Sequence, residues 1–363
     1  MLNYIIRRLL IGIPTLLGAI LLLFIIFFTV SEPRQMAINS IGEKAKAEEI
    51  RNWEHEHGYA FSDETLEKMV KDHFGTELDS LPEKEADKKR AQWKEENSYI
   101  PNFYNHFESG LGSLTETTFY GFMKKMITFD FGKSDYDQER IWVKIKHGVI
   151  PSLAVTVPIF ITGLIFSIFI SMLTAMFRRS YIDTSIVTAC IVAMSVVYFL
   201  YIIGLQFIMA KMLMWFPISG WSPDYMLHFL ILPFIIGTIA TVGESTRFYR
   251  TIMINEINSD YIRTARAKGL GDMSILVKHL LKNAMIPILT RVILALPFLV
   301  TGSLLLESFF GIPGLGRMTV DAINLKDLPT LSAVTYLSSI IYVLANIVSD
   351  ISYTFVDPRV KLS

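Results

Sequence analysis

A single cysteine, Cys190, excludes an intrachain disulfide, so nothing in the 363-residue chain is stapled covalently. Any exposed portion must be held by helix packing and by its attachments. A complete phosphate-binding loop is missing as well. Gly132-Lys133-Ser134 reproduces the end of one, but the backbone cradle needs a glycine five positions before Gly132, where Ile127 stands. Histidines at metal-binding spacing are lacking: His55 and His57 are two apart, which on a helix turns them about 200 degrees from each other, and His73 stands alone beyond. A polar surface with incidental histidines is the favoured reading, with an adventitious metal left open. Deep in the apolar stretches there is no pair of acids, no Ser-Lys dyad and no Gly-x-Ser-x-Gly, the groups an intramembrane hydrolase would need.

What the chain has is apolar length. Apolar residues make up 52% of it, and the mean hydropathy is +0.41, above the range of a water-soluble domain. About 20 apolar residues span a bilayer core, and six windows qualify: 9–30, 149–177, 184–211, 225–243, 284–306 and 328–349. Four carry no charge; Lys211 ends the third and can snorkel, and Arg291 interrupts the fifth, where it is expected to face the headgroups. Gln206, Glu244, Glu307 and Asp350 lie mostly near the ends of windows, where a headgroup or cap role competes with lining a pathway.

Arg7 and Arg8 precede the first window, which is long, and no small-x-small site precedes Glu32-Pro33, so a retained signal anchor is expected. With the N-terminus inside, six crossings return the C-terminus to the cytoplasm. The short inner segments then hold Arg178, Arg179, Arg359, Lys361 and the run Arg247, Arg250, Arg263, Arg266, Lys268, Lys278 and Lys282. Only Lys211, Arg317 and Lys326 fall in short outer segments, which satisfies the positive-inside rule.

Three regions are expected: 1–30, a cytoplasmic N-terminus and first transmembrane helix; 31–147, an extracytoplasmic insertion; and 148–363, a core of five transmembrane helices with a cytoplasmic loop over 249–285. The insertion is rich in Glu, Lys and Asp. Residues 63–73 and 103–131 carry apolar positions at helical spacing, which predicts a small, mostly helical cap. Residues 82–97 have almost no apolar face and read as a solvated helix or mobile loop.

The stretch 256–291 is basic and punctuated by Ala and Gly. A helix docking in another protein's groove needs small side chains where backbones approach and a glycine where the chain turns; Ala265, Ala267, Gly269 and Gly271 supply these. Arg263, Arg266 and Lys268 would steer it toward acidic positions. Held against this is an interfacial helix bound by anionic lipid.

The wording of this stretch resembles the coupling segment of bacterial ABC-importer permeases, in the branch for oligopeptides, dipeptides and nickel. Residues 261–270 follow Tyr-x-x-Thr-Ala-Arg-Ala-Lys-Gly-Leu, and residues 279–287 follow His-x-x-x-Asn-Ala-x-x-Pro. Arg263 and Thr264 replace the Glu and first Ala of the generic pattern, and Leu281-Lys282 stand where Leu-Pro would be. Tyr4-Ile5-Ile6-Arg7-Arg8-Leu9, Asp130-Phe131-Gly132-Lys133-Ser134, Pro151-Ser152-Leu153, Pro313-Gly314-Leu315-Gly316-Arg317, Asp321-Ala322 and Asp357-Pro358-Arg359 occur in the order of the first permease of the pair. The order makes Gly132-Lys133-Ser134 a structural turn. The outer segment is roughly 40 residues longer than the family's usual first loop, a likeness to the murein-peptide and microcin-type importers.

The resemblance implies an all-α integral membrane protein of six transmembrane helices with the type I importer permease fold. It places ATPase coupling on Tyr261, Arg263, Thr264, Ala265, Arg266, Ala267, Lys268, Gly269 and Asn283. It places an extracytoplasmic turn or gate on Glu307, Gly311, Pro313, Gly314, Gly316 and Arg317. The chain would be non-catalytic and bind no cofactor or metal, with ATP and magnesium held by two ABC ATPase partner subunits. A second homologous permease, an extracytoplasmic solute-binding protein, membrane lipid and a peptide substrate complete the set, with no nucleic acid, in a bacterial inner membrane. Nickel or peptide-like antibiotics are alternative cargo. Two rivals remain: an ion-coupled secondary transporter, which needs intramembrane acids or broken helices, and an intramembrane enzyme, which needs a catalytic group at depth.

Overall fold

The computed structural model describes residues 2–26, 34, 37–38, 41–42, 45–56, 59–60, 63–74, 82–96 and 117–356. Its helices, in chain order, are α1 (Leu2–Phe24), α2 (Ala47–Glu56), α3 (Asp63–Phe74), α4 (Glu83–Glu96), α5 (Thr118–Ile127), α6 (Ile141–Met176) and α7 (Tyr181–Ser195). There follow α8 (Tyr198–Gln206), α9 (Met226–Ile257), α10 (Asp260–Ala267), α11 (Lys282–Thr301), α12 (Leu304–Phe310), α13 (Leu315–Asn324) and α14 (Leu328–Val356). A π-helical turn, Phe207–Met212, extends α8, and another, Ile275–Leu281, leads into α11.

Among the described residues, four helical stretches are long and apolar enough to cross a membrane: Ile141–Met176, Met226–Ile257, Asp272–Phe310 and Leu328–Val348. With 36 residues, α6 runs about 54 Å at 1.5 Å per residue, well beyond a ~30 Å hydrocarbon core. The apolar part of α1 is shorter, Leu10–Phe24; residues 27–30 of its window lie outside the described residues.

The third window is not the straight crossing that its hydropathy implies. It folds as α7 and α8, bent by 94° at Val196 and Val197, whose backbones are extended. Neither proline nor glycine marks the break. The Tyr201 hydroxyl donates at 2.9 Å to the Ala193 carbonyl, which also accepts from Val196 N–H at 3.3 Å.

The chain forms two compact units. One comprises Met1–Thr15, Trp142–Asp321 and Leu337–Ser363. Here α6 and α9 pack along a seam of hydroxyls: Thr162 meets Thr238 at 3.2 Å, Ser167 donates to the Val242 carbonyl at 3.4 Å, and Ser171 donates to the Thr246 carbonyl at 3.0 Å. A Cβ on Gly237 of α9 would lie 2.5 Å from Cδ1 of Ile159, so a larger residue there would have to displace that side chain. Between membrane helices burial exchanges lipid for protein, so close fit and hydrogen bonds hold the seam. Val155, Ile159, Ile202, Leu232, Ile236 and Phe310 make one buried cluster beside it.

Two charged pairs bind helices within this unit. Arg250 of α9 grips Asp183 of α7 with two hydrogen bonds of 2.9 Å. Arg291 of α11, expected to face the headgroups, has a partner within the chain. It pairs with Glu244 of α9, and its guanidinium carbon sits 4.4 Å from the Phe248 ring centroid. Gln206 donates to the Ile218 carbonyl at 2.7 Å.

The second unit comprises Leu16–Ile141 and Ala322–Tyr336. Phe24 packs against Phe119 and Phe122, at 5.1 and 5.9 Å between centroids. The 63–73 periodicity becomes α3, and most of 82–97 becomes α4; Lys94 pairs with Glu67 across the two helices at 3.3 Å. His73 stacks on Trp93 at 5.3 Å, and no group of three metal-ligating side chains occurs among the described residues. His57 lies outside them, as do residues 103–116 of the second helical stretch, which is helix over Thr118–Ile127. Asp327 organises the unit. Its carboxylate is 3% exposed and accepts from the Ser134 hydroxyl, the Asp135 amide, and the amide and hydroxyl of Thr330. It caps α14 and holds the start of the 135–137 turn together; just before that turn Gly132 stands at φ +69° and Lys133 bridges Arg140 in antiparallel fashion.

Candidate functional site

Helix α10 has two faces. Ile262 and Ala265 are buried with Tyr249, Met253, Leu280 and Ile288, which seats α10 on α9 and on the segment leading into α11. Arg263, Arg266, Ala267, Lys268 and Gly269 are exposed. Arg263 reaches Asp260 at 3.5 Å with both side chains largely in solvent, an interaction worth little. Ala265, expected to be small where a partner's backbone approaches, is 4% exposed and packs within the chain.

The end of α10 explains Gly269. Leu270 N–H donates to the Ala265 carbonyl and Gly269 N–H to the Arg266 carbonyl, the paired bonds of a Schellman motif. Its C′ position needs a left-handed backbone, and Gly269 has φ +74°. A Cβ there meets nothing within 4 Å, so conformation rather than space selects glycine. At the start, the Tyr261 hydroxyl donates to the Glu256 carboxylate at 2.6 Å, and the Thr264 hydroxyl to the Asp260 carbonyl at 2.9 Å. Burial and the Glu256 hydrogen bond push the Tyr261 phenol up from its ordinary range, against a hydrogen bond with Asn283 that pulls it down.

The second group forms around Glu307, which is fully buried. One carboxylate oxygen accepts from Ser303 N–H at 2.9 Å; the other accepts from Gly316 N–H at 2.8 Å and Arg317 N–H at 3.2 Å. Gly316 and Arg317 open α13, so the carboxylate caps that helix from another element and meets its positive end. Ser152 of α6 hydrogen-bonds the same carboxylate and accepts from Leu315 N–H at 2.8 Å.

The glycines make room for this carboxylate. A Cβ on Gly302 or Gly314 would collide with Glu307, and one on Gly316 would lie 2.7 Å from the Ser303 carbonyl carbon. Gly302 also has φ +77°. Gly311 ends α12 in the left-handed region, and its carbonyl accepts from the Arg317 guanidinium at 2.8 Å. Arg317 reaches Asp321 at 3.4 Å, while Pro313 is exposed at the outside of the turn. Glu307, Gly311, Gly314, Gly316 and Arg317 thus meet in one clamp. Ser152 belongs to it; Pro151-Ser152-Leu153 stood out in the sequence as a motif, but nothing there linked it to a residue 155 positions away.

The α10 face and the Glu307 clamp differ in kind. One presents cations on a seated helix; the other locks α6, α12 and α13. Arg359 and Lys361 lie outside the described residues.

The sequence profile of the family described as binding-protein-dependent transport system inner membrane component matches residues 167–362. The chain is 30% identical over 252 residues to the glutathione transport system permease protein of Salmonella typhimurium, covering 69% of this chain and 81% of that protein. It is 31% identical over 264 residues to the oligopeptide transport system permease protein of Bacillus subtilis, covering 69% of this chain and 82% of that one.

Proposed function

This chain belongs to the family of inner membrane components of binding-protein-dependent transport systems, and we propose that it forms half of the translocation pathway of an ATP-driven peptide importer. The observation that carries the coupling is the two-faced α10: exposed Arg263, Arg266 and Lys268 on a helix whose other face is buried against α9. ATPase subunits closing on nucleotide move α10, and the Ile262 and Ala265 contacts pass that movement to α9 and α11. The Arg291–Glu244 pair joins these two helices and favours their moving together. The Glu307 clamp holds the opposite turn rigid while the bundle alternates between outward-open and inward-open states.

Counting α1 and the bent α7–α8 pair as one crossing each gives six, with both termini and α10 in the cytoplasm; the clustering of cations around α10 supports that orientation. Two ABC ATPases, a second permease and an extracytoplasmic binding protein complete the machine, and ATP and magnesium belong to the ATPases. Cargo of the peptide class, glutathione included, is inferred from the likeness to the glutathione and oligopeptide permease proteins.

The test uses the complex purified from native membrane with its ATPases and binding protein, in proteoliposomes. Arg266→Glu with Lys268→Glu should abolish ATP-driven uptake of a labelled tripeptide and shed the ATPases, with insertion and abundance unchanged. Uptake at the wild-type rate would sink the coupling role; uptake driven by an ion gradient without ATPases would replace the class. Glutathione, nickel and longer peptides as competitors identify the cargo.

A further inference from the structure

The second unit contains a cavity of about 350 Å3 that neither the coupling helix nor the Glu307 clamp uses. This falls within the ~300–1,000 Å3 usual for small-molecule sites. Trp53, Tyr59, Phe122, Met126 and Phe131 give it an apolar floor. Trp53 and Tyr59 are stacked, with centroids 5.8 Å apart and planes 9° from parallel. Burial, with Asp135 beside it, pushes the Tyr59 phenol up, so the hydroxyl stays protonated.

The mouth is different in kind. Lys125, Lys133, Asp130 and Gln138 line the same cavity and are exposed. Among the described residues no ion pair engages Lys125, Lys133 or Asp130. A purely anionic ligand would meet Asp130, and a purely cationic one the two lysines, so a mouth of both signs over an aromatic floor suits a zwitterion with an apolar body. Leu328 and Pro329, at the first turn of α14, form another wall. Asp327 beside them fixes the start of the turn that follows Lys133.

We infer that this cavity binds short peptides of two or three residues carrying an aromatic or large apolar side chain. The side chain lies on the Trp53–Tyr59 stack, the terminal carboxylate meets Lys125 and Lys133, and the terminal ammonium meets Asp130. This rests on the peptide-import reading for the choice of ligand and adds a site on this chain, separate from any binding protein, at which cargo is held against the first turn of α14.

The experiment measures equilibrium binding of labelled Ala-Phe-Ala to the full chain in lipid nanodiscs, with no binding protein and no ATPase. One saturable site per chain is expected. Trp53→Ala should weaken it at least tenfold. Lys133→Glu, at an exposed position that leaves the packing intact, should weaken the free acid about tenfold and the C-terminal amide hardly at all. No saturable binding to the wild-type chain, or free-acid affinity unchanged by Lys133→Glu, overturns the inference. Uptake by the complete transporter is measured in parallel. Import without binding to the isolated chain removes this site and keeps the import reading; binding without import by the complete transporter keeps the site and removes that reading.

Discussion

Replacing Glu307 by Gln removes one charge and no heavy atom, so its effect isolates what the carboxylate does. Three main-chain donors converge on it, Ser303 on one oxygen and Gly316 with Arg317 on the other. A carboxamide has a single acceptor oxygen, and in either orientation its NH2 group faces at least one of these donors. Losing a bond to a charged acceptor costs about 1.5–3 kcal/mol, and a buried donor left without a partner adds about 1–3 kcal/mol. The sum, about 2.5–6 kcal/mol at roughly 2 °C per kcal/mol for a large chain, lowers the melting temperature by ~5–12 °C. The assay heats the purified chain in detergent and follows its monodisperse fraction by size exclusion. Melting within about 1 °C of wild type refutes the reasoning. A double-mutant cycle sharpens it: a Cβ on Gly314 collides with the Glu307 carboxylate, so Gly314→Ala should be costly in the wild type and partly relieved in Glu307→Ala. Additive effects, with coupling below about 0.5 kcal/mol, would mean that the glycine does not clear room for the carboxylate.

Gly269→Ala places an L residue at φ +74° and should cost about 1–2 kcal/mol at the end of α10, reducing peptide uptake without changing membrane abundance. Gly271→Ala should be silent in the same uptake assay, because that glycine is not left-handed and a Cβ meets nothing within 4 Å; equal losses from both would remove the conformational argument. Asp327→Ala strips an acceptor from Ser134, Asp135 and Thr330 and should cost about 2–4 kcal/mol. Limited proteolysis of the purified chain reads it as faster cutting between residues 117 and 140, and an unchanged cleavage rate contradicts it.

Helical segments were legible where composition alone decides, as in 149–177, whose apolar length has few other stable forms in lipid. Where direction matters, composition is silent. Hydropathy sums along a window, so 184–211 looked continuous across Val196 and Val197, although the chain turns there by 94°. Arg291 and Glu307 were judged by depth in a window, and both answer to partners elsewhere in the chain: Glu244, 47 positions away, and the amides of the following turn. The motif around Gly314 was recognisable as a pattern, yet its physical reason, space for a carboxylate, appears only when Ser152 and Glu307 stand beside it. The Schellman end of α10 was the opposite case, a local signal that Lys268-Gly269-Leu270 carries without help from the rest of the fold.

The Asp327 carboxylate also sets an order of events during synthesis. Its hydrogen bond to Ser134 spans 193 positions. At roughly 5–20 residues per second the ribosome needs about 10–40 s to cover that interval. Throughout it, the turn at 135–137 has been made and the acceptor that holds its start has not. Newly made chains therefore carry an unfinished second unit until the first turn of α14 is delivered, and quality-control proteases have their best opportunity in that interval.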